Sequence, residues 1–153
     1  MLDWFARKKP TAEGLLGIEV GPEGIALSQV SRPAGKAPQL LRCVFREAQP
    51  SAHPATLKAL VEEFGLEGMS VNLVMHPAEY QLLLLDCPDV PPAAMRWRIK
   101  DLSSESLENL IIDTFSLPDD AYRGRSRMAY SAVLGKSRMQ EMANLVSAAG
   151  LAL

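Results

Sequence analysis

The sequence predicts an α/β protein: a βββαβ subdomain carrying an inserted, smaller βαββ subdomain. Three observations predict it. Alternating apolar runs separated by glycine- and proline-bearing turns fill the stretch from Leu15 to Arg46. A helix with a single apolar face follows them and leads into another strand-like run. A strand, helix, strand, strand order then recurs on a smaller scale before a final helix. At 153 residues, 48% of them hydrophobic, the chain is long enough to bury a core.

The first three strands are "LLGIEV", "GIALSQV" and "QLLRCVFR", with the turn Gly21-Pro22-Glu23-Gly24 in the first gap and "SRPAGKAP" in the second. Gaps this short predict an antiparallel meander. The helix "ATLKALVEEFG" places Leu57, Leu60, Val61 and Phe64 at the i, i+3, i+4, i+7 spacing, opened by Pro54 and closed by Gly65. The strand "SVNLVMH" then returns beside the meander after this helical crossover.

From Glu79 the pattern changes. "EYQLLLLDC" reads as a strand apolar on both faces, and "PDVPP" leads into a helix from Ala93 to about Leu102. Met95, Ile99 and Leu102 share its core stripe, which leaves Trp97 off that stripe. "NLIIDTFSL" and "MAYSAVLG" complete a three-stranded sheet, and the polar loop "PDDAYRGRSR" joins them. The last helix, "KSRMQEMANLVSAAG", carries Met139, Met142, Ala143 and Val146 on one face, and "LAL" after it reads as the place for another strand. The expected boundaries are a tail over 1–13, a first subdomain over 14–78, an insert over 79–135 and a helix returning to the first subdomain over 136–153.

A formal net charge of -2 offers no overall attraction to nucleic acid or anionic lipid, so either role requires a local patch. Cys43 and Cys87 lie far apart in apolar runs, without a CxxC pair, and are expected to be buried thiols of a cytosolic protein. No run of about 18 apolar residues predicts a membrane span, and "MLDWFARKKP" is too short for a signal-peptide core. In that segment Leu2, Trp4 and Phe5 stand beside Arg7, Lys8 and Lys9, a pairing suited to a weak peripheral membrane contact.

Chemistry is thin. His53 and His76 each sit beside a proline with no second ligand at metal spacing. Glu62 and Glu63 fall on the outer face of a helix and Asp119 and Asp120 in a polar loop, so neither pair reads as a buried acid and base. No G-x-S-x-G string occurs. Arg123, Arg125 and Arg127 form the densest basic patch, the basis for an alternative reading as a nucleic-acid-binding module, but only Tyr122 stands nearby as a stacking platform.

Several strings in order resemble the PilM and MshI family of type IV pilus (MSHA-type) biogenesis proteins, which have the actin-like, ribonuclease-H-like fold and are related to the cytoplasmic domain of GspL. "GIEVG" stands where the family has an Asp-x-Gly-Ser-like turn. Arg96 and Trp97 match an Arg-Trp pair ending a helix, and Asp113 with Phe115 matches a strand Asp followed by an aromatic. "GKSRMQEMANLVSAAGLAL" matches a helix ending in an Ala-Gly-Leu turn. The resemblance runs from about Gly14 onward. Ser104 and Ser106 replace prolines of the family's bend, and family members are about twice as long, so the chain corresponds to their first lobe.

The resemblance implies an actin-like first lobe, and it turns attention to the first hairpin. Actin-like ATPases use an Asp there to organise a metal-bound water, with Ser, Thr or Lys groups on the phosphates. Here Glu19 replaces the Asp, Pro22 removes a backbone donor, and Glu23 puts negative charge where phosphate would lie. Glu19, Gly21, Pro22, Glu23 and Gly24 therefore form a degenerate phosphate turn, and no cofactor, no metal and no catalysis are expected. The resemblance further implies a cytoplasmic adaptor, peripheral to the inner membrane. Its partner would be the cytoplasmic tail of a PilN- or MshJ-like inner-membrane protein, held in the cleft beside the insert. Leu83, Leu85, Arg96 and Trp97 are the expected partner-binding residues.

Overall fold

The computed structural model describes residues 14–86, 92–100, 102, 105–118, 120–121 and 127–153. They fall into two compact units. One holds the described residues up to Val74 together with Asn144–Leu153, and the other holds Met75–Ala143.

In the first unit, strands β1 (Leu15–Gly21), β2 (Gly24–Ser31) and β3 (Gln39–Glu47) form the expected meander. With β4 (Val71–Met75) the sheet order is β3-β2-β1-β4. The β1–β2 hairpin pairs Leu15 with Val30 through to Gly21 with Gly24, which leaves a two-residue turn of Pro22 and Glu23. Proline holds φ near −65°, so this turn cannot be the positive-φ type that most two-residue hairpins use. A bulge at Gln29/Val30 shifts the pairing of β2 with β3.

Strand alternation sends Leu16, Ile18, Val20, Ile25 and Leu27 to one face, where all are buried. Helix α1 (His53–Phe64) meets that face with Leu57, Leu60 and Val61, none more than 1% exposed. Each such side chain contributes about 1.5–3 kcal/mol on burial. Phe64 is half-buried, and the Arg42 guanidinium lies 4.0 Å over its ring. Gly65 ends the helix at φ 64°, a left-handed C-cap that glycine takes without a Cβ penalty.

The other face of this sheet corrects an expectation. Cys43 is exposed, not buried. It sits on the edge strand β3, one residue out of phase with Arg42 and Val44, which point toward α1. Apolar neighbours in sequence do not bury a residue on the uncovered face. Cys87 lies outside the described residues.

The second unit holds β5 (Gln81–Asp86), α2 (Pro92–Lys100), β6 (Leu110–Ser116) and β7 (Met128–Gly135), the sheet running β5-β7-β6 with both pairings antiparallel. Its core is Ile99, Leu110 and Val133, with Leu83, Leu85, Leu107 and Ile112 packed against them. Ser131, fully buried, satisfies its hydroxyl against Thr114 Oγ1 at 2.8 Å across the β6–β7 pair. Helix α2 stops at Lys100, so Leu102 does not extend the core stripe of Met95 and Ile99; it is 57% exposed. Helix α3 (Lys136–Ala148) follows β7 directly. After it, Ala152 bridges Ser70 in parallel at the entry to β4, where the sequence reads as another strand.

Candidate partner-binding surface

The short helix α2 is anchored by Met95 and Ile99, one turn apart and 1% and 0% exposed. Geometry at 100° per residue then turns Trp97 away from the core. It is 65% exposed. Around it stand three exposed cations. Arg96 donates from Nη2 to the Leu107 carbonyl at 3.3 Å, Arg98 donates from Nη1 to the Asp86 carbonyl at 2.9 Å, and the Lys100 ammonium lies 5.8 Å from the Trp97 ring centroid. Each arginine thus spends one donor on holding a neighbouring backbone and keeps others for a ligand. The helix presents a cationic, aromatic surface that could grip carboxylates and stack on apolar side chains.

Leu83 and Leu85 sit under this helix. Both are half-buried against the Ile99 cluster, so they hold α2 rather than face solvent. The spare face of β5 belongs to Leu82 and Leu84, 48% and 41% exposed. β5 is also an edge strand, with backbone groups available to an added chain.

Near the start of β5 lies a recess of about 390 Å³ with Leu110 and Val133 among its lining and Glu79, Tyr80, Gln81 and Glu105 contributing polar groups. Glu79 is gripped by Arg138 of α3, which donates from Nε and Nη2 to its two carboxylate oxygens, each at 2.7 Å. Arg138 also reaches Glu141 from Nη1 at 2.9 Å. The Arg138 hydrogen bonds hold the Glu79 carboxyl below the usual range against the opposing effect of burial, and Arg138 is raised above its ordinary range by Glu79 first and Glu141 second. Sequence reading missed this pair, since nothing local links residues 59 apart.

The residues expected to form a degenerate phosphate turn lie on the β1–β2 hairpin. Glu23 and Pro22 line a depression with Glu47, Ala48 and Gln49, and the Ala48 amide donates to the Glu23 carbonyl at 3.1 Å. Glu23 and Glu47 together give this depression negative charge. Glu19 is half-buried on β1. A Cβ at Gly24 would collide with the Arg46 carbonyl oxygen, so glycine is required there by close backbone approach.

The two histidines do structural work. His53 is buried with Nε2 3.2 Å from the Ala48 carbonyl, and His76 Nδ1 accepts from the Ala78 amide at 3.1 Å. Among the described residues no group of three or more His, Cys, Asp or Glu could hold a metal ion. Glu63 pairs with Arg46 at 3.0 Å and Glu62 with Lys58 at 3.9 Å, both exposed. Of the arginine loop only Arg127 is described, and it is exposed; Arg123 and the aromatic 1–13 segment lie outside the described residues. No described helix is long and apolar enough to cross a membrane.

No protein-family model matches the sequence, and no characterised protein matches it by sequence. Solved structures do match. A chain of the PilM–PilN type IV pilus biogenesis complex superposes with a TM-score of 0.72 at 20% identity, over 92% of this chain and 46% of that one. The cytoplasmic domain of EpsL, an inner-membrane component of the Vibrio cholerae type II secretion system, gives 0.59 at 12% identity, over 90% and 53%. A Bacteroides thetaiotaomicron protein of unknown function with an actin-like ATPase fold gives 0.51 at 16% identity, over 99% and 54%. The chain spans about half the length of these structures. Sheet order, inserted unit and structural likeness agree: the chain has the actin-like fold, in the form seen in the PilM–PilN complex.

Proposed function

We propose that this chain is a non-catalytic adaptor of a type IV or MSHA-type pilus assembly machine, lying on the cytoplasmic side of the inner membrane. It holds the cytoplasmic tail of a PilN- or MshJ-like membrane protein. The observation that carries this reading is the superposition on a chain of the PilM–PilN complex across 92% of the residues. The chemistry of the second unit supports it. Trp97 is an exposed aromatic of the kind that dominates binding energy, and Arg96 beside it keeps donors for a backbone carbonyl or carboxylate. The edge strand β5 offers main-chain hydrogen bonds to an extended tail, and Leu83 and Leu85 fix the helix that presents Trp97. The glutamate-lined hairpin turn supports the absence of nucleotide chemistry.

The test is a titration of the full chain with a synthetic peptide of a PilN-like cytoplasmic tail. Trp97→Ala is expected to cost about 2 kcal/mol or more of binding, some thirtyfold in affinity, with the melting temperature unchanged. Equal affinity in the variant would remove Trp97 from the site, and no binding by either protein would overturn the adaptor reading for this tail class.

A further inference from the structure

The face of the second sheet opposite α2 is uncovered over much of its area, although Leu134 of β7, at one end of it, is buried. Register places Leu82 and Leu84 of β5, Tyr130 of β7, and Ile111 and Phe115 of β6 on it. Leu82, Leu84, Ile111 and Phe115 are 48%, 41%, 36% and 52% exposed, and the Phe115 and Tyr130 rings meet at 5.7 Å. We infer that this face is the docking site of one amphipathic helix from a second protein, with an apolar stripe flanked by Lys or Arg.

Dimensions select a single helix. Three strands spaced about 4.8 Å set the outer two roughly 10 Å apart, the width of one helix with its side chains. From Ile111 to Phe115 the strand runs about 13 Å, some two and a half helical turns. The four exposed side chains offer on the order of 400 Å², the size of a functional patch. A stable pairing of two copies needs about 800 Å² from each.

Charge selects the flanks. The strand residues pointing to this face carry charge only at Asp86 and Asp113, both acids, and Asp113 is exposed between Ile111 and Phe115. An incoming helix covers Asp113 at a desolvation cost unless a cation meets it. This site shares strand β5 with the proposed tail site but uses the opposite face of the sheet from the helix that carries Trp97.

The experiment uses the full chain and fluorescein-labelled synthetic helices of about 18 residues with leucines at i, i+3, i+4 and i+7. One version has lysine flanks, one has glutamate flanks, and one has the lysine composition scrambled. Fluorescence anisotropy is expected to show binding of the lysine-flanked helix, weakened about tenfold or more by Leu84→Glu and by Phe115→Asp and unchanged by Trp97→Ala. Asp113→Lys is expected to turn preference toward the glutamate-flanked helix. Thermal melts confirm that each variant folds, the substituted positions being exposed. The inference is overturned if the scrambled peptide binds as well, if Leu84→Glu and Phe115→Asp bind like the parent, or if the chain alone forms a dimer that Leu84→Glu dissolves.

Discussion

Arg138 and Glu79 form a two-pronged pair, both hydrogen bonds at 2.7 Å, that ties the first turn of α3 to the segment leading into β5. Fork-to-fork geometry makes this the strongest charged contact among those described. Its acid dependence follows from the lowered Glu79 carboxyl. A carboxyl held below its unfolded value stabilises the fold above the ordinary range and loses that contribution as pH falls through the folded value. Glu79→Gln is therefore expected to cost about 1 kcal/mol at pH 7, a modest figure because the Arg138 side chain is 35% exposed. The difference from the parent should shrink as pH falls from the ordinary carboxylate range through the lowered value at which Glu79 takes up its proton. Urea melts from pH 3 to 7 check this, and a constant difference across that range would rule out the ion pair as its source.

The first hairpin makes a steric prediction. Because a Cβ on Gly24 runs into the Arg46 carbonyl, Gly24→Ala must push β2 from β3 or bend the turn. The expected loss is about 2 kcal/mol, or a fall of roughly 4–8 °C in Tm for a chain of this size. Glu23→Ala, one residue earlier and exposed, is expected to leave Tm within about 1 °C.

The same hairpin is expected to refuse ATP. Pro22 lacks a backbone N–H, and it lines a depression together with Glu23 and Glu47. Isothermal titration with ATP and magnesium should give no saturable heat. A dissociation constant below about 100 μM, roughly -5.5 kcal/mol, would show that a site exists which the turn chemistry does not describe.

Much of the fold could be read from local pattern because local chemistry decides it. The hairpin turn, the α1 stripe of Leu57, Leu60 and Val61 and the Gly65 cap all act within a few residues. What could not be read depends on which face of an element a distant element covers. Cys43 sits in an apolar run and is exposed, because α1 covers only the alternate residues of β3. Leu102 continues the spacing of Met95 and Ile99 and is exposed, because the helix ends two residues before it. The site divides likewise. The departure of Trp97 from the core stripe was legible in helical spacing. The choice between Leu82 with Leu84 and Leu83 with Leu85 was not, since a run of four leucines has no phase of its own. The alternation in "LIIDTFS" could have shown that Ile111, Asp113 and Phe115 share a face, though not that the face is open.

The contrast between Trp97 and Ile99 separates surface from core on one helix. They lie two residues apart, yet Ile99 is 0% and Trp97 65% exposed. Ile99 packs in the cluster with Leu110 and Val133, so Ile99→Ala removes buried methylenes and leaves a cavity, at an expected cost of about 2–5 kcal/mol. Trp97→Ala removes mostly solvated surface and the Lys100 contact over its ring, which at an exposed site is worth less than about 1 kcal/mol. Thermal melts of the two variants should therefore differ by several degrees, with Trp97→Ala close to the parent. The binding assays should rank them the other way. Ile99→Ala, measured where it remains folded, should keep tail affinity nearer the parent than Trp97→Ala does. If Trp97→Ala melts as low as Ile99→Ala, the indole is part of the core, and the α2 surface loses the residue that makes it a binding site.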